Sequence, residues 1–178
     1  REFGDAIVVV PETATLLYNA GFPRFRDAHG VRAAQTAIFQ VQKSVEDFYS
    51  AHYPDRVYLC DRGTIDGAAY WPEGEDAFFE AQGTTLDAEL SRYSAILFFE
   101  TAAAGGLSIE SENSARVESL GEANLIDRKI RSLYARHPRF HVIGHETSFF
   151  QKIERGLLAL KNVLEEVAGT SSFSATRR

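Results

Sequence analysis

The chain has 178 residues, 44% of them hydrophobic and 25% charged, with a net charge of −6. That length fits one domain, and a domain of this size buries about 70% of the surface its unfolded form exposes, so it needs no covalent staples. The acidic balance excludes a general nucleic-acid surface or a polybasic membrane patch. A single cysteine, Cys60, excludes an internal disulfide and suits a reducing compartment. No apolar run reaches the roughly 18 residues needed to span a bilayer.

In chain order, four short apolar runs rich in β-branched and aromatic residues read as strands: Ala6–Val10, Val57–Cys60, Ala95–Phe99 and Phe140–Ile143. They are continuous rather than alternating, which predicts burial on both faces in a parallel sheet. Helical patterns separate them. Glu12–Ala20 is a short one. Val31 to about His52 places Ala34, Ile38, Val41, Val45 and Phe48 at helical spacing and stops before Pro54. Leu86–Tyr93 is another short helix. Gly121–Ala135 carries Ala123, Ile126, Ile130, Leu133 and Tyr134 on one stripe. Ser148–Val167 turns Phe149, Ile153, Leu157, Leu160 and Leu164 inward. The alternation calls for parallel strands joined by crossovers. Between the elements, Pro72–Gly83 reads as acidic surface, Thr101–Glu112 as a mobile loop, and 169–178 as a disordered tail.

Open parallel sheets bind ligands beyond the carboxyl ends of their strands. Glu12 follows the first run, Asp61-Arg62-Gly63 the second, Glu100 the third, and Gly144-His145-Glu146 the fourth. An acid at such an end can hold Mg²⁺ through water or accept a proton from a hydroxyl. Two readings of Asp61-Arg62 stand side by side: a ligand-facing pair, or a helix cap with a surface ion pair. Glu12 also suits the first turn of a helix for its dipole alone. Arg116, in Asn113-Ser114-Ala115-Arg116-Val117-Glu118, could fold over a phosphate, but by itself the segment reads better as a solvated helix start. His141 and His145 share one side of an extended strand without a third ligand, which argues against zinc. His137-Pro138 reads as a helix terminator and Trp71-Pro72 as a core anchor and helix stop. Arg24, Arg26 and Arg32 read as solvated surface. No G-x-x-x-x-G-K-[ST], G-x-G-x-x-G, G-x-S-x-G or C-x-x-C occurs in the 178 residues.

Together these pieces resemble one family. They are Val8-Val9-Val10-Pro11-Glu12-Thr13-Ala14, Asp61 through Pro72, Phe98-Phe99-Glu100-Thr101, Asn113 through Ser119, Ala123 to Asp127, Arg136-His137-Pro138 and Phe149-Phe150-Gln151-Lys152-Ile153. The pattern is similar to the AAA-type P-loop NTPases that group the nicotinamide-riboside kinase domain of the NAD regulator with a fly GTP-binding protein of photoreceptor trafficking. More distantly it looks like nucleoside and thymidylate kinases.

The resemblance implies a three-layer, kinase-like α/β fold over residues 1–168, a parallel sheet flanked by helices. It implies ATP or GTP as substrate with Mg²⁺, and a small-molecule, nucleoside-like acceptor. It also implies roles: Glu12 as base at the acceptor hydroxyl, Asp61 and Arg62 near Mg²⁺ and the phosphates with the metal held by Asp61 through water, Arg116 as a lid arginine, and Asn113 and Glu118 ordering that lid. In the family a strand, the glycine loop and its helix precede the Pro-Glu strand. Arg1-Glu2-Phe3-Gly4 reads as the end of that helix, so roughly 15–30 further residues are expected upstream. A cytoplasmic protein is expected, acting as a kinase or, alternatively, as a nucleotide-dependent switch without an acceptor.

Overall fold

The computed structural model describes residues 6–100, 120–144, 146 and 148–175, with side chains as far as 167. Its contacts divide the chain into two compact units, Arg1–Glu89 and Leu90–Arg178. Both are mixed α/β units built on a small parallel sheet with helices beside it.

In the first unit, β1 (Ile7–Val10) pairs in parallel with β2 (Val57–Cys60), in a register that sets Ile7 opposite Val57 and Val10 opposite Cys60. Between them run α1 (Thr13–Asn19) and the long α2 (Ala28–His52), which packs on both strands. α2 begins three residues earlier than its apolar spacing suggests, because Asp27 caps it: the Asp27 carboxylate accepts from the Gly30 N–H at 2.9 Å. Its buried face holds Ala34, Phe39 and Gln42, whereas Phe48 is exposed and stacks on His52 instead. Gln42 is a polar member of that face with a partner. The Thr13 hydroxyl donates to Gln42 Oε1 at 2.5 Å, and Gln42 Nε2 donates to Glu46 at 2.9 Å. This chain ties the start of α1 to α2.

After β2 come α3 (Gly67–Tyr70), α4 (Glu75–Gln82) and α5 (Leu86–Leu90). Two of these depart from the sequence reading. The stretch expected to be acidic surface contains α4, and its Phe78 and Phe79 are buried. The acids Glu75 and Asp76 occupy the first turn, where they suit the helix dipole, while the two rings turn inward. Phe78 meets Phe39, Trp71 and Phe79 edge-to-face at 5.8, 5.4 and 5.2 Å between centroids. Trp71 is the core anchor its sequence context suggested. α5 stops at Leu90, short of Tyr93.

In the second unit, β3 (Ile96–Phe99) pairs in parallel with β4 (Phe140–Ile143), Ile96 opposite Phe140 and Phe99 opposite Ile143. α6 (Leu120–Tyr134) joins them and buries Ile130, Leu133 and Tyr134, the end of its expected stripe. His137 follows the helix. Its Nε2 lies 2.9 Å from the Tyr93 carbonyl, and its Nδ1 accepts from the Arg139 N–H at 3.0 Å, so the ring carries its proton on Nε2 and ties the loop before β3 to the loop before β4.

α7 (Phe149–Ala175) packs on β3 and β4. It runs past Val167 and through most of the stretch expected to be a tail. Its inner face agrees with the expected one at Leu160, which is buried, but differs elsewhere: Phe149 is 73% exposed and Ile153 and Leu157 are uncovered, whereas Gly156 and Val163 are buried. The Phe99 ring explains the offset. A Cβ on Gly156 would stand 2.6 Å from Phe99 Cζ, so the helix approaches the strand through its glycine rather than through its large side chains.

The sheet expectation is also corrected in part. Among the described residues the strands form two pairs, β1 with β2 and β3 with β4. Double-faced burial is not reached: Val10 is buried but its neighbour Val9 is 62% exposed, and Phe99 and Val142 are exposed in the same way. Alternate residues of a strand face opposite sides, and in β1 the side of Val9 is not covered.

Candidate functional site

The parallel register builds the site. Val10 stands opposite Cys60, and the Asp61 N–H donates to the Val10 carbonyl at 2.9 Å, so the two chains leave the sheet together. Two residues past each strand lie Glu12 and Arg62. They come from positions fifty residues apart in sequence, yet Arg62 Nε is 3.8 Å from Glu12 Oε1.

Glu12 occupies the N-cap position of α1 with extended backbone, but its side chain makes no cap bond to that helix. Its other oxygen accepts from the Thr15 hydroxyl instead. Thr13, the next residue, is buried and bonded to Gln42, so the backbone that carries Glu12 is anchored from below.

Arg62 has φ of +72°, the one left-handed residue other than glycine among those described. Such a conformation costs roughly 1–2 kcal/mol for a residue with a Cβ. A glycine, Gly63, stands next to it and does not occupy that position. Arg62 faces two acids: Glu12, and Asp66, whose Oδ1 is 3.5 Å from Nη1. Burial would lower the arginine pKa, but Asp66, then Tyr70, Glu12 and Asp61 outweigh it and raise it. The guanidinium is still 45% exposed and Glu12 36%, and ion pairs of that exposure stabilise a fold by about 0–1 kcal/mol. These ion pairs alone therefore do not offset the strain of Arg62; the surrounding turn, with Thr64 and Ile65 fully buried, helps hold that conformation.

Asp66 holds the turn. Its Oδ2 accepts from the Gly63 N–H at 2.9 Å, and the Asp66 N–H points back to the Gly63 carbonyl at 3.4 Å. The following bonds, Ala68 to Ile65 and Ala69 to Asp66, continue at a spacing of three residues. The helix-capping alternative for Asp61 is not realised: the N-cap position of α3 is held by Asp66, whose side chain makes no cap bond to that helix, and Asp61 is exposed at the strand end. The ion-pair alternative for Arg62 is realised, with partners on two elements. Asp66 and Thr15 are the residues that sequence reasoning did not single out. The signal for Asp66 was present: an acid four residues after an arginine and three after a glycine can serve both side chain and backbone.

Asp61 offers one exposed carboxylate beside these groups. No cluster of three or more metal-ligating side chains occurs among the described residues. One carboxylate suits Mg²⁺, which keeps several waters and shares its remaining ligands with phosphates. In the second unit, Glu100 follows β3 and pairs with Arg131 at 2.5 Å, its carbonyl accepts from Lys152, and Glu146 pairs with Arg155. Asn113, Arg116 and Glu118, with the loop Thr101–Glu112, lie outside the described residues, as does His145.

Residues 2–152 match the family described as AAA domain. The chain belongs to that family. AAA domains are P-loop nucleotide-binding domains, and this one accordingly has the mixed α/β build with parallel strands. No curated protein and no solved structure matches the chain. Among the described residues no helix is long and apolar enough to cross a membrane.

Proposed function

We propose that this AAA domain protein is a Mg²⁺-dependent, ATP- or GTP-using phosphotransferase acting on a small, nucleoside-like acceptor. The observation that carries the reading is the juxtaposition, at the carboxyl ends of two paired parallel strands, of a carboxylate and a strained arginine, with a second carboxylate exposed beside them. Phosphoryl transfer asks little covalent chemistry of a protein; it asks for positioning and for cationic groups where charge accumulates. Arg62 supplies the cation. Asp61 would hold Mg²⁺ through water, and that ion neutralises phosphate charge when bound. Glu12 takes the proton of the acceptor hydroxyl, for which one carboxylate oxygen near a cation is the ordinary arrangement.

The same reading includes Arg116, Asn113 and Glu118 as a phosphate lid, a single P-loop domain over 1–168, a cytoplasmic setting, and kinship with the nicotinamide-riboside kinase domain of the NAD regulator. The rival function is a nucleotide-dependent switch that releases phosphate slowly and has no acceptor.

The full-length protein tests it. With a panel of nucleosides and Mg-ATP or Mg-GTP, mass spectrometry should find a phosphorylated small molecule. Glu12→Gln should lower its formation about 10²–10⁴-fold while nucleotide affinity stays near wild type. Normal turnover in that variant refutes the base, and phosphate release without any phosphorylated product favours the switch.

A further inference from the structure

Asp66 divides its carboxylate between two tasks: Oδ2 accepts from the Gly63 backbone at 2.9 Å, and Oδ1 faces Arg62 Nη1 at 3.5 Å. The backbone contact fixes the direction in which the second oxygen points. Its side chain is only 14% exposed, and the turn below it is anchored by Thr64 and Ile65, both fully buried. Arg62 is thereby gripped at one end by a rigid anion on its own turn and at the other by Glu12 on α1. The two grips differ. Asp66 is tied to backbone, whereas Glu12 is held by a side chain, the Thr15 hydroxyl.

We propose that Asp66 is the positioning residue for Arg62: it holds the guanidinium, in its left-handed turn, over the strand ends where a nucleotide's phosphates would lie. The proposal rests on the reading of Arg62 as a phosphate-facing group. Asp66 itself touches no reacting atom. When an anion arrives, Arg62 can release Glu12 and still be aimed by Asp66, so phosphate binding and release of the Glu12 carboxylate become one event. The raised pKa of Arg62, with Asp66 the foremost of the acids that raise it, agrees with this division.

The test uses the full-length protein labelled with ¹⁵N-arginine, in which the Arg62 Nε–H signal is assigned by its loss in Arg62→Lys. In Asp66→Asn, the amide oxygen can still accept from the Gly63 N–H, but the charge facing Arg62 is gone. The expected result is an Arg62 side chain that becomes mobile on the picosecond–nanosecond scale in heteronuclear NOE, a melting temperature close to wild type, and nucleotide affinity weakened by about tenfold or more. Asp66→Ser, which also keeps an acceptor without charge, should behave alike, while Asp66→Glu should restore much of the Arg62 order. An Arg62 signal unchanged in Asn and Ser variants overturns the proposal. So does loss of folding in both, since Asp66 would then serve the turn alone. If the wild type binds no nucleotide, the functional reading fails, yet the NMR comparison still decides whether Asp66 orders Arg62.

Discussion

Gly67 shows how tightly the turn after β2 is seated. A Cβ built there would lie 2.8 Å from Cε2 of Phe78 and 3.2 Å from the Gln35 side-chain oxygen. Two effects compete in Gly67→Ala. Alanine favours a helix over glycine by about 1 kcal/mol. Overpacking against a fixed ring costs about 1–3 kcal/mol. Phe78 is fully buried and bounded by three other rings, so it has nowhere to move. The overpacking term should win, and a thermal melt should show a lowered midpoint; a raised midpoint would mean that the ring yields. The residue scale is also where the sequence was least explicit. Gly67 and Gly156 read as ordinary small residues, and only the rings that approach them reveal their work. Asp66 read as one acid among 25 acidic side chains until its two oxygens acquired separate partners.

At the scale of elements, capping chemistry decides where α2 begins, and it carries a pH dependence. The backbone bond from Gly30, ahead of desolvation, which opposes it, holds the Asp27 carboxyl below its ordinary value of 3.8. A carboxyl whose folded pKa is depressed contributes stability that is fully present above the unfolded value and is lost as pH falls through the folded one. Asp27→Ala should therefore melt below wild type at about pH 7, and the gap should narrow by about pH 3. An undiminished gap at low pH would locate the effect elsewhere than in the charged cap.

Two of the three helices with sustained apolar periods, α2 and α6, were legible with boundaries near those observed, because burial of one stripe is local information. The exception is α7, whose face is rotated toward Gly156. Its period gave the helix but not the seam, since a glycine has no apolar signal and the contact is made by Phe99. α4 was missed for a related reason. Its acids dominate the composition of Pro72–Gly83, and the two phenylalanines that bury it are adjacent rather than spaced at helical intervals.

For the molecule as a whole, membership of the AAA domain family makes nucleotide a stabilising ligand of the folded state. A ligand that binds only the native form adds RT ln(1 + [L]/Kd), about 2.7 kcal/mol at a hundred times Kd. The full-length protein should thus melt at a higher temperature with Mg-ATP or Mg-GTP. EDTA should remove most of that shift if Mg²⁺ shares the phosphates with Asp61. A shift insensitive to EDTA would take the metal out of the reading, and no shift with either nucleotide would take out the nucleotide.

The amino-acid order by itself determined that four short β-branched runs alternate with helices, that acids follow their carboxyl ends, and that the Asp61–Pro72 segment carries the most distinctive motif. Strand propensity, helical period and strand-end position are local or nearly so, and each is written in a window of a few residues. Only the tertiary structure decided the register that sets Val10 opposite Cys60, and with it the meeting of Glu12 and Arg62 across some fifty residues. It alone showed the left-handed turn at Arg62 and the divided carboxylate of Asp66. A one-residue slip in the pairing would leave the sequence pattern as legible as before and would move one partner to the opposite face. The chemistry of the site thus depends on a pairing between distant segments, for which no single window of the chain carries the information.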